Sequence, residues 1–162
     1  MFLGVIAAGW LAASFFVADD PPVGVERPGG LAPEIQVTTF DGEMFVLSRH
    51  LGDDGRPVIL NLWASWCIPC RTEMPELDRL AKNTPDVFVI GVAVDDTAVA
   101  ARGLAAELGV DYPLAFDATG RVAEAYPSFG LPVTYFISSD GVITHRFQGA
   151  VTEGRLVEVL GL

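Results

Sequence analysis

The sequence predicts an α/β domain layered around a mixed central sheet. Three observations carry that expectation. Two short apolar runs, "PVILNLW" at 57–63 and "VFVIGVAV" at 87–94, suit strands buried on both faces. Each is followed by a helix-like stretch, and that alternation builds layered α/β sheets. Two further strand-like runs, at 133–138 and 142–148, flank "SDG" and read as an antiparallel hairpin, which makes the sheet mixed.

The elements follow in order. Residues 1–18, "MFLGVIAAGWLAASFFVA", carry no charged side chain. Their length is near the lower limit of a membrane-spanning helix, about 17–20 residues. Asp19 and Asp20 follow, and no basic pair marks that side as cytoplasmic. A membrane anchor with an extracytoplasmic C-terminal part is therefore expected. A cleaved signal is the rival reading, with the small residues of "AAS" at 12–14 as a cleavage site. A buried globular helix is the third. Residues 19–34 are rich in Pro and Gly without strand or helix period and read as a linker. The domain proper is then 35–162. It opens with a hairpin over 35–50 around Asp41–Gly42. A helix is expected over 69–82, kinked at Pro75 by the missing N–H. A second spans 95–108, capped by Asp95 or Asp96 and stopped by Gly109. A last short helix starts behind Thr152.

Composition excludes some functions. The 162 residues are 51% apolar, enough for a core without crosslinks. The net charge is −11, with one lysine, Lys82, and nine scattered arginines. Nucleic-acid binding needs clustered cations, so it is excluded as a function class.

The two cysteines, Cys67 and Cys70, stand in "NLWASWCIPC". As a crosslink they would close a tiny loop, which stabilises least. As a zinc site they lack further ligands. As a redox pair they are well placed. The motif lies where the first buried strand hands over to a helix, the edge where sites gather in α/β sheets. At a helix N-terminus, unpaired N–H groups and the dipole favour a thiolate on Cys67. Cys70 lies within the first turn, able to close back on Cys67. Pro69 suits a first-turn position, and Trp66 can form an apolar wall beside the sulfur. Arg71 is either helix surface or a charge that favours thiolate.

Glu73 is three residues after Cys70 on the same helix face. It is either a carboxylate coupled to the thiols or an acidic residue that complements the helix dipole. "GLPVTYFI" at 130–137 starts a core strand with a proline, which is unusual. If Leu131–Pro132 is cis, the backbone of Leu131 would face an incoming peptide and pair with it as an added strand. An ordinary trans proline is the alternative. His50 and His145 read as solvated surface residues, and Trp63, Phe88, Phe116, Tyr135 and Phe136 as core.

Taken together, "TTFDGEMFVLSRHLG", "VILNLWASWCIPCRTEMPEL", "VIGVAVDD" and "GLPVTYFISSDGVITHRFQG" resemble the TlpA/ResA/CcmG-like branch of the thioredoxins. The resemblance spans about residues 33–162. It implies a thioredoxin fold with an N-terminal hairpin and a helix–strand insertion near Asp95 to Phe116. It also implies a membrane-anchored, extracytoplasmic thiol–disulfide oxidoreductase without a cofactor. Cys67 would be the exposed nucleophile, Cys70 the resolving thiol, Pro132 the cis-proline, and Glu73 a glutamate typical of the ResA-like branch. Trp66, Ile68, Pro69, Leu131 and Pro132 would meet the substrate protein. The implied substrate is apocytochrome c, at its haem-site cysteines, and the implied electron donor a membrane protein of CcdA or DsbD type. Asn61 stands where thioredoxin has a buried aspartate, and Ile68-Pro69 replace its Gly-Pro. Electron flow in the opposite direction, as a disulfide oxidase, is the first alternative. A copper chaperone would use a wider cysteine spacing and a histidine. A peroxiredoxin would need Thr or Ser three residues before its cysteine, where this chain has Ala64.

Overall fold

A computed structural model describes residues 24–26 and 28–162, so the expected anchor or signal at 1–18 lies outside the described residues. No helix among the described residues is long and apolar enough to cross a membrane. The central strands are β4 (Val58–Trp63) and β5 (Phe88–Ala93), paired in parallel. They alternate strictly between two cores. Ile59, Trp63, Val89 and Ala93 point to one, and Leu60, Leu62, Ile90 and Val92 to the other. Side chains of a strand alternate faces, so a sheet covered on both sides must read as a continuous apolar run.

The six-stranded sheet is mixed, as expected. Its order is β1 (Gly24–Glu26), β8 (Ile143–Gln148), β7 (Val133–Ile137), β4, β5, β6 (Leu114–Phe116). β7 runs antiparallel to β4 and β8 antiparallel to β7. One face carries α2 (Ile68–Asn83), α3 (Ala98–Leu108) and α5 (Glu153–Leu160), through residues such as Met74, Leu77, Ala101 and Leu156. The other is covered by the hairpin β2 (Gln36–Thr38)–β3 (Met44–Val46), by α1 (Leu47–Asp53) and by α4 (Arg121–Ala125). The α3–β6 segment is the expected insertion, and β6 extends the sheet beside β5.

Three local expectations need correction, and one helix, α4, was not among the expected elements. Part of the stretch read as linker forms β1 on the outer edge of β8. Just after it, Gly29 N–H bonds Ile143 O at 2.9 Å and Leu31 bridges Val142. An open strand edge offers unpaired backbone groups to any extended segment, whatever its side-chain period. The second arm of the expected hairpin is short, because Leu47 already begins α1. Val46 occupies its N-cap without a side-chain bond, so the usual start signal is missing. α4 likewise starts behind Gly120, and its first N–H groups are held from a distance by Asp117, which accepts from Val122 and Ala123 at 2.9 Å each. Finally, α3 is capped by Thr97, whose hydroxyl accepts from Ala100 N–H at 3.2 Å, and not by either aspartate before it. Gly109 does end that helix, in the left-handed conformation with φ +61°.

Candidate active site

β4 leads through Ala64, Ser65 and Trp66 directly into α2. Cys67 is the N-cap residue, with extended backbone, and its Sγ accepts the N–H of Cys70 at 3.2 Å. The two sulfurs are bonded to each other at 2.02 Å. Pro69 falls in the first turn, where no N–H is needed. The expectation of an exposed Cys67 is corrected in this oxidised state. Cys67 is 3% exposed and Cys70 is fully buried, because both sulfurs turn inward onto the helix start and the core beneath it. Exposure falls instead on the residues around them, Trp66 at 61% and Ile68 at 78%.

Two aspartates after β5 hold the approach to Cys67. Asp96 accepts Ser65 N–H at 2.5 Å and Ser65 Oγ–H at 2.9 Å. The indole N–H of Trp66 donates to Asp95 O at 2.9 Å, and Asp95 itself sits at φ +50°. Asp96 therefore ties two loops together across the sheet edge, where sequence reasoning saw only a helix cap. Trp66 is exposed and reaches that loop through its indole N–H.

The Leu131–Pro132 bond is cis. Pro132 is buried, and its carbonyl accepts Gly149 N–H at 2.9 Å. Leu131 packs half-buried against the core that contains both cysteines. Arg71 pairs with Glu107 of α3 on the surface.

Glu73 is 0% exposed and lies outside the first turn of α2, which excludes the surface role at the helix end. Asn61 Nδ2 donates to its Oε2 at 2.7 Å. Thr134 Oγ–H and Val151 N–H donate to its Oε1 at 3.1 and 3.2 Å. Burial pushes its carboxyl up to about 7 from the ordinary 4.5, against the lowering effect of those three donors. Glu73 thus reaches from α2 to Asn61 and Thr134 of the sheet. Thr134 was missed by sequence reasoning. The available signal was the one aliphatic hydroxyl in an apolar strand, directly opposite Asn61 in the β4–β7 register.

His50 bonds Arg56 O and packs against Phe45 and Phe88, and His145 sits beside Phe136 and Phe147. Both are half-buried rather than solvated. Among the described residues, no group of three or more His, Cys, Asp or Glu is arranged to hold a metal ion.

The arrangement is a disulfide-linked cysteine pair at a helix N-terminus, with a buried carboxyl on the same helix. Comparison with known proteins agrees with it. The profile described as the AhpC/TSA family matches residues 28–146. The chain belongs to that family. It is 33% identical over 135 residues to the thiol-disulfide oxidoreductase ResA of Oceanobacillus iheyensis, covering 82% of this chain and 70% of that one. It is 32% identical over 145 residues to the thioredoxin-like protein YneN of Bacillus subtilis, covering 86% and 82%. Among solved structures, a thioredoxin-family thiol:disulfide interchange protein from Chlorobium tepidum superposes with a TM-score of 0.69 at 25% identity, over 83% of this chain and 97% of that one. A secreted Mycobacterium tuberculosis disulfide oxidoreductase homologous to DsbE superposes at 0.68 and 25% identity, over 79% and 96%. The fold is that of the thioredoxins, and the chain is a thiol–disulfide oxidoreductase of the ResA and DsbE type.

Proposed function

We propose that this family member works as a tethered reductase of protein disulfides outside the cytoplasmic membrane, with residues 1–18 as its anchor. The observation that carries the reading is the Cys67–Cys70 pair at the N-terminus of α2, with the buried carboxyl of Glu73 on the same helix.

In the dithiol form, the helix end stabilises a thiolate on Cys67. That thiolate attacks one sulfur of a substrate disulfide. The substrate S–S bond breaks, a Cys67–substrate disulfide forms, and one substrate sulfur leaves and takes a proton. Cys70 then loses its proton, for which Glu73 is the base within the protein interior. With a carboxyl near 7, Glu73 is divided between its two forms at neutral pH, the condition for both taking and giving a proton. The Cys70 thiolate attacks Cys67 Sγ, the Cys67–substrate S–S bond breaks, and the second substrate sulfur leaves and takes a proton from water as Glu73 gives up the one it received. The substrate has gained two electrons and two protons, and the enzyme ends as the disulfide. The exposed Trp66 and Ile68 flank the pair on the outside, and with Pro69 and the Leu131–Pro132 turn they form the surface for an extended peptide.

The resemblance to ResA supports apocytochrome c haem-site cysteines as the substrate. It also supports a membrane donor of CcdA or DsbD type to return two electrons, since extracytoplasmic compartments hold no bulk reducing pool. The test is the reduction potential of the pair, by equilibration with thiol buffers, together with exchange assays. A potential near or below about −270 mV is expected, and one near about −120 mV would make the protein an oxidant instead. Cys67→Ser abolishes exchange, and Cys70→Ser accumulates the mixed disulfide. Full activity in Cys67→Ser would end the reading.

A further inference from the structure

The turn that carries Leu131 is tied to the sheet chiefly by side chains. Residues 127–132 run between α4 and β7 without helix or strand. Among the described residues, their one backbone–backbone hydrogen bond is Gly149 N–H to Pro132 O, and Leu131 makes none through its own N–H or C=O. β8 supplies further ties. Gln148 pairs with Val133 in the β7–β8 register and is half-buried. Its Nε2 donates to Gly130 O at 2.8 Å and, at the longer distance of 3.5 Å, to Pro132 O, the carbonyls on either side of Leu131. Two residues earlier, on the same face of β8, lies Arg146, whose guanidinium donates to Gln148 Oε1 at 2.8 Å. Arg146 also donates to Pro127 O at 3.4 Å, the same oxygen that accepts the Tyr135 hydroxyl at 2.7 Å. It is 7% exposed and lies against the rings of Phe129 and Tyr135, 5.5 and 5.9 Å from their centroids.

We propose, resting on the peptide surface assigned above to the Leu131–Pro132 turn, that Gln148 is a positioning residue for polypeptide substrates: its amide, set by Arg146, holds the carbonyls on both sides of Leu131 and so keeps the Leu131 backbone in place to pair with an extended peptide. The direction of the amide follows from its partners. A guanidinium only donates and a carbonyl only accepts, so Oε1 faces Arg146 and Nε2 faces Gly130. A flipped amide would set donor against donor at Arg146 and acceptor against acceptor at Gly130. The grip matters because of what it holds. Gly130 sits at φ +151°, has the widest conformational freedom of any residue and has no side chain to pack, so its place depends on what holds its carbonyl. Strand pairing draws its affinity from main-chain hydrogen bonds, and these form only when the receiving N–H and C=O stand at the right spacing. A shift of the turn therefore costs a peptide substrate. A small disulfide without peptide groups reaches Cys67 without that pairing.

The test uses two disulfides. The reduced protein is oxidised in stopped flow by a disulfide-bonded peptide and, separately, by 2-hydroxyethyl disulfide, which has no backbone to pair. Each second-order rate constant is divided by that of the same disulfide with free dithiothreitol, and the readout is the ratio of peptide to small disulfide. Gln148→Met keeps the length of the side chain and removes both ends of the amide. The ratio is expected to fall about fivefold, the effect of one hydrogen bond, with the loss on the peptide side. A structural role alone would lower the melting temperature or slow both reactions together, and would leave the ratio in place. A wild type without preference for the peptide overturns the peptide surface at Leu131, and this proposal with it. A wild type with that preference and a Gln148→Met variant that keeps it in full overturns this proposal alone. Should Gln148→Met fail to fold, Gln148→Glu replaces it. The carboxylate still accepts from Arg146 but offers Gly130 O no donor, so the same fall is expected, and an unchanged ratio again overturns the proposal.

Discussion

Replacing Glu73 by Gln gives a direct measure of what the buried carboxyl costs the fold. The carboxyl is pushed from 4.5 up to about 7, mainly because burial penalises its charge. The folded state therefore binds this proton more tightly than the unfolded chain does. The associated stability is fully present below the unfolded value near 4.5 and is lost as pH rises through the folded value near 7. A shift of that size, at about 1.4 kcal/mol per unit, corresponds to roughly 3 kcal/mol. In Glu73→Gln the dependence disappears. The glutamine oxygen still accepts from Thr134 and Val151, but its NH₂ group meets Asn61 Nδ2, so a fixed cost remains that does not vary with pH. The assay is urea unfolding of the disulfide form of both proteins from about pH 5 to about pH 8.5. Glu34, Glu76 and Asp78 have carboxyls held below their ordinary values, so they are ionised throughout this window and cancel in the comparison. The wild type should lose most of the ~3 kcal/mol relative to the variant across that range. A difference between the two curves that stays constant with pH would refute the argument that Glu73 titrates inside the fold.

Three further outcomes follow from the same geometry. Asp96→Ala removes both bonds to Ser65 and frees the turn before Cys67. The exchange rate should fall about tenfold, through misplacement of the nucleophile, as followed by stopped-flow reduction of a disulfide peptide. Gly91→Ala places a methyl 2.6 Å from Leu114 Cδ2 and 3.0 Å from Trp63 Nε1, and should cost about 1–3 kcal/mol in denaturant unfolding as the leucine is displaced. Thr152→Ala removes the cap whose hydroxyl accepts Arg155 N–H at 3.2 Å at the start of α5, and should cost about 1 kcal/mol in the same assay.

The parts of the fold that were legible in the sequence are those whose signal is local. β4 and β5 are unbroken apolar runs because the sheet is covered on both faces, and Thr152 and Gly109 mark helix ends by their own chemistry. What escaped was set at a distance. β1 forms because β8 offers an edge, not because Gly24–Glu26 favour a strand. α4 is held by Asp117, three residues before its N-cap, and α1 starts on a valine. The site divides in the same way. The cysteines are read from their spacing and position. The donors around Glu73 come from β4, β7 and the stretch before α5, and no spacing along the chain announces that Asn61, Thr134 and Val151 converge.

That convergence bears on how the site is tuned. An acid carried on β4 would be fixed by the sheet, and its distance to the thiols would depend on how α2 packs. Here the strand position holds Asn61, and the acid is on α2, three residues from Cys70. The spacing between the carboxyl and Cys70 is thus set by the helix itself and survives small shifts of α2. The proton affinity of the carboxyl does not, because all three of its donors belong to other elements. A shift of α2 away from the sheet lengthens these bonds together and lets water in at once, two effects of opposite sign on Glu73. Loss of the donors raises its proton affinity, and hydration lowers it. The helix that changes chemistry between dithiol and disulfide is therefore also the element that sets the protonation of the carboxyl it carries. A substrate that presses on Trp66 and Ile68 acts on the two exposed residues at the head of that helix.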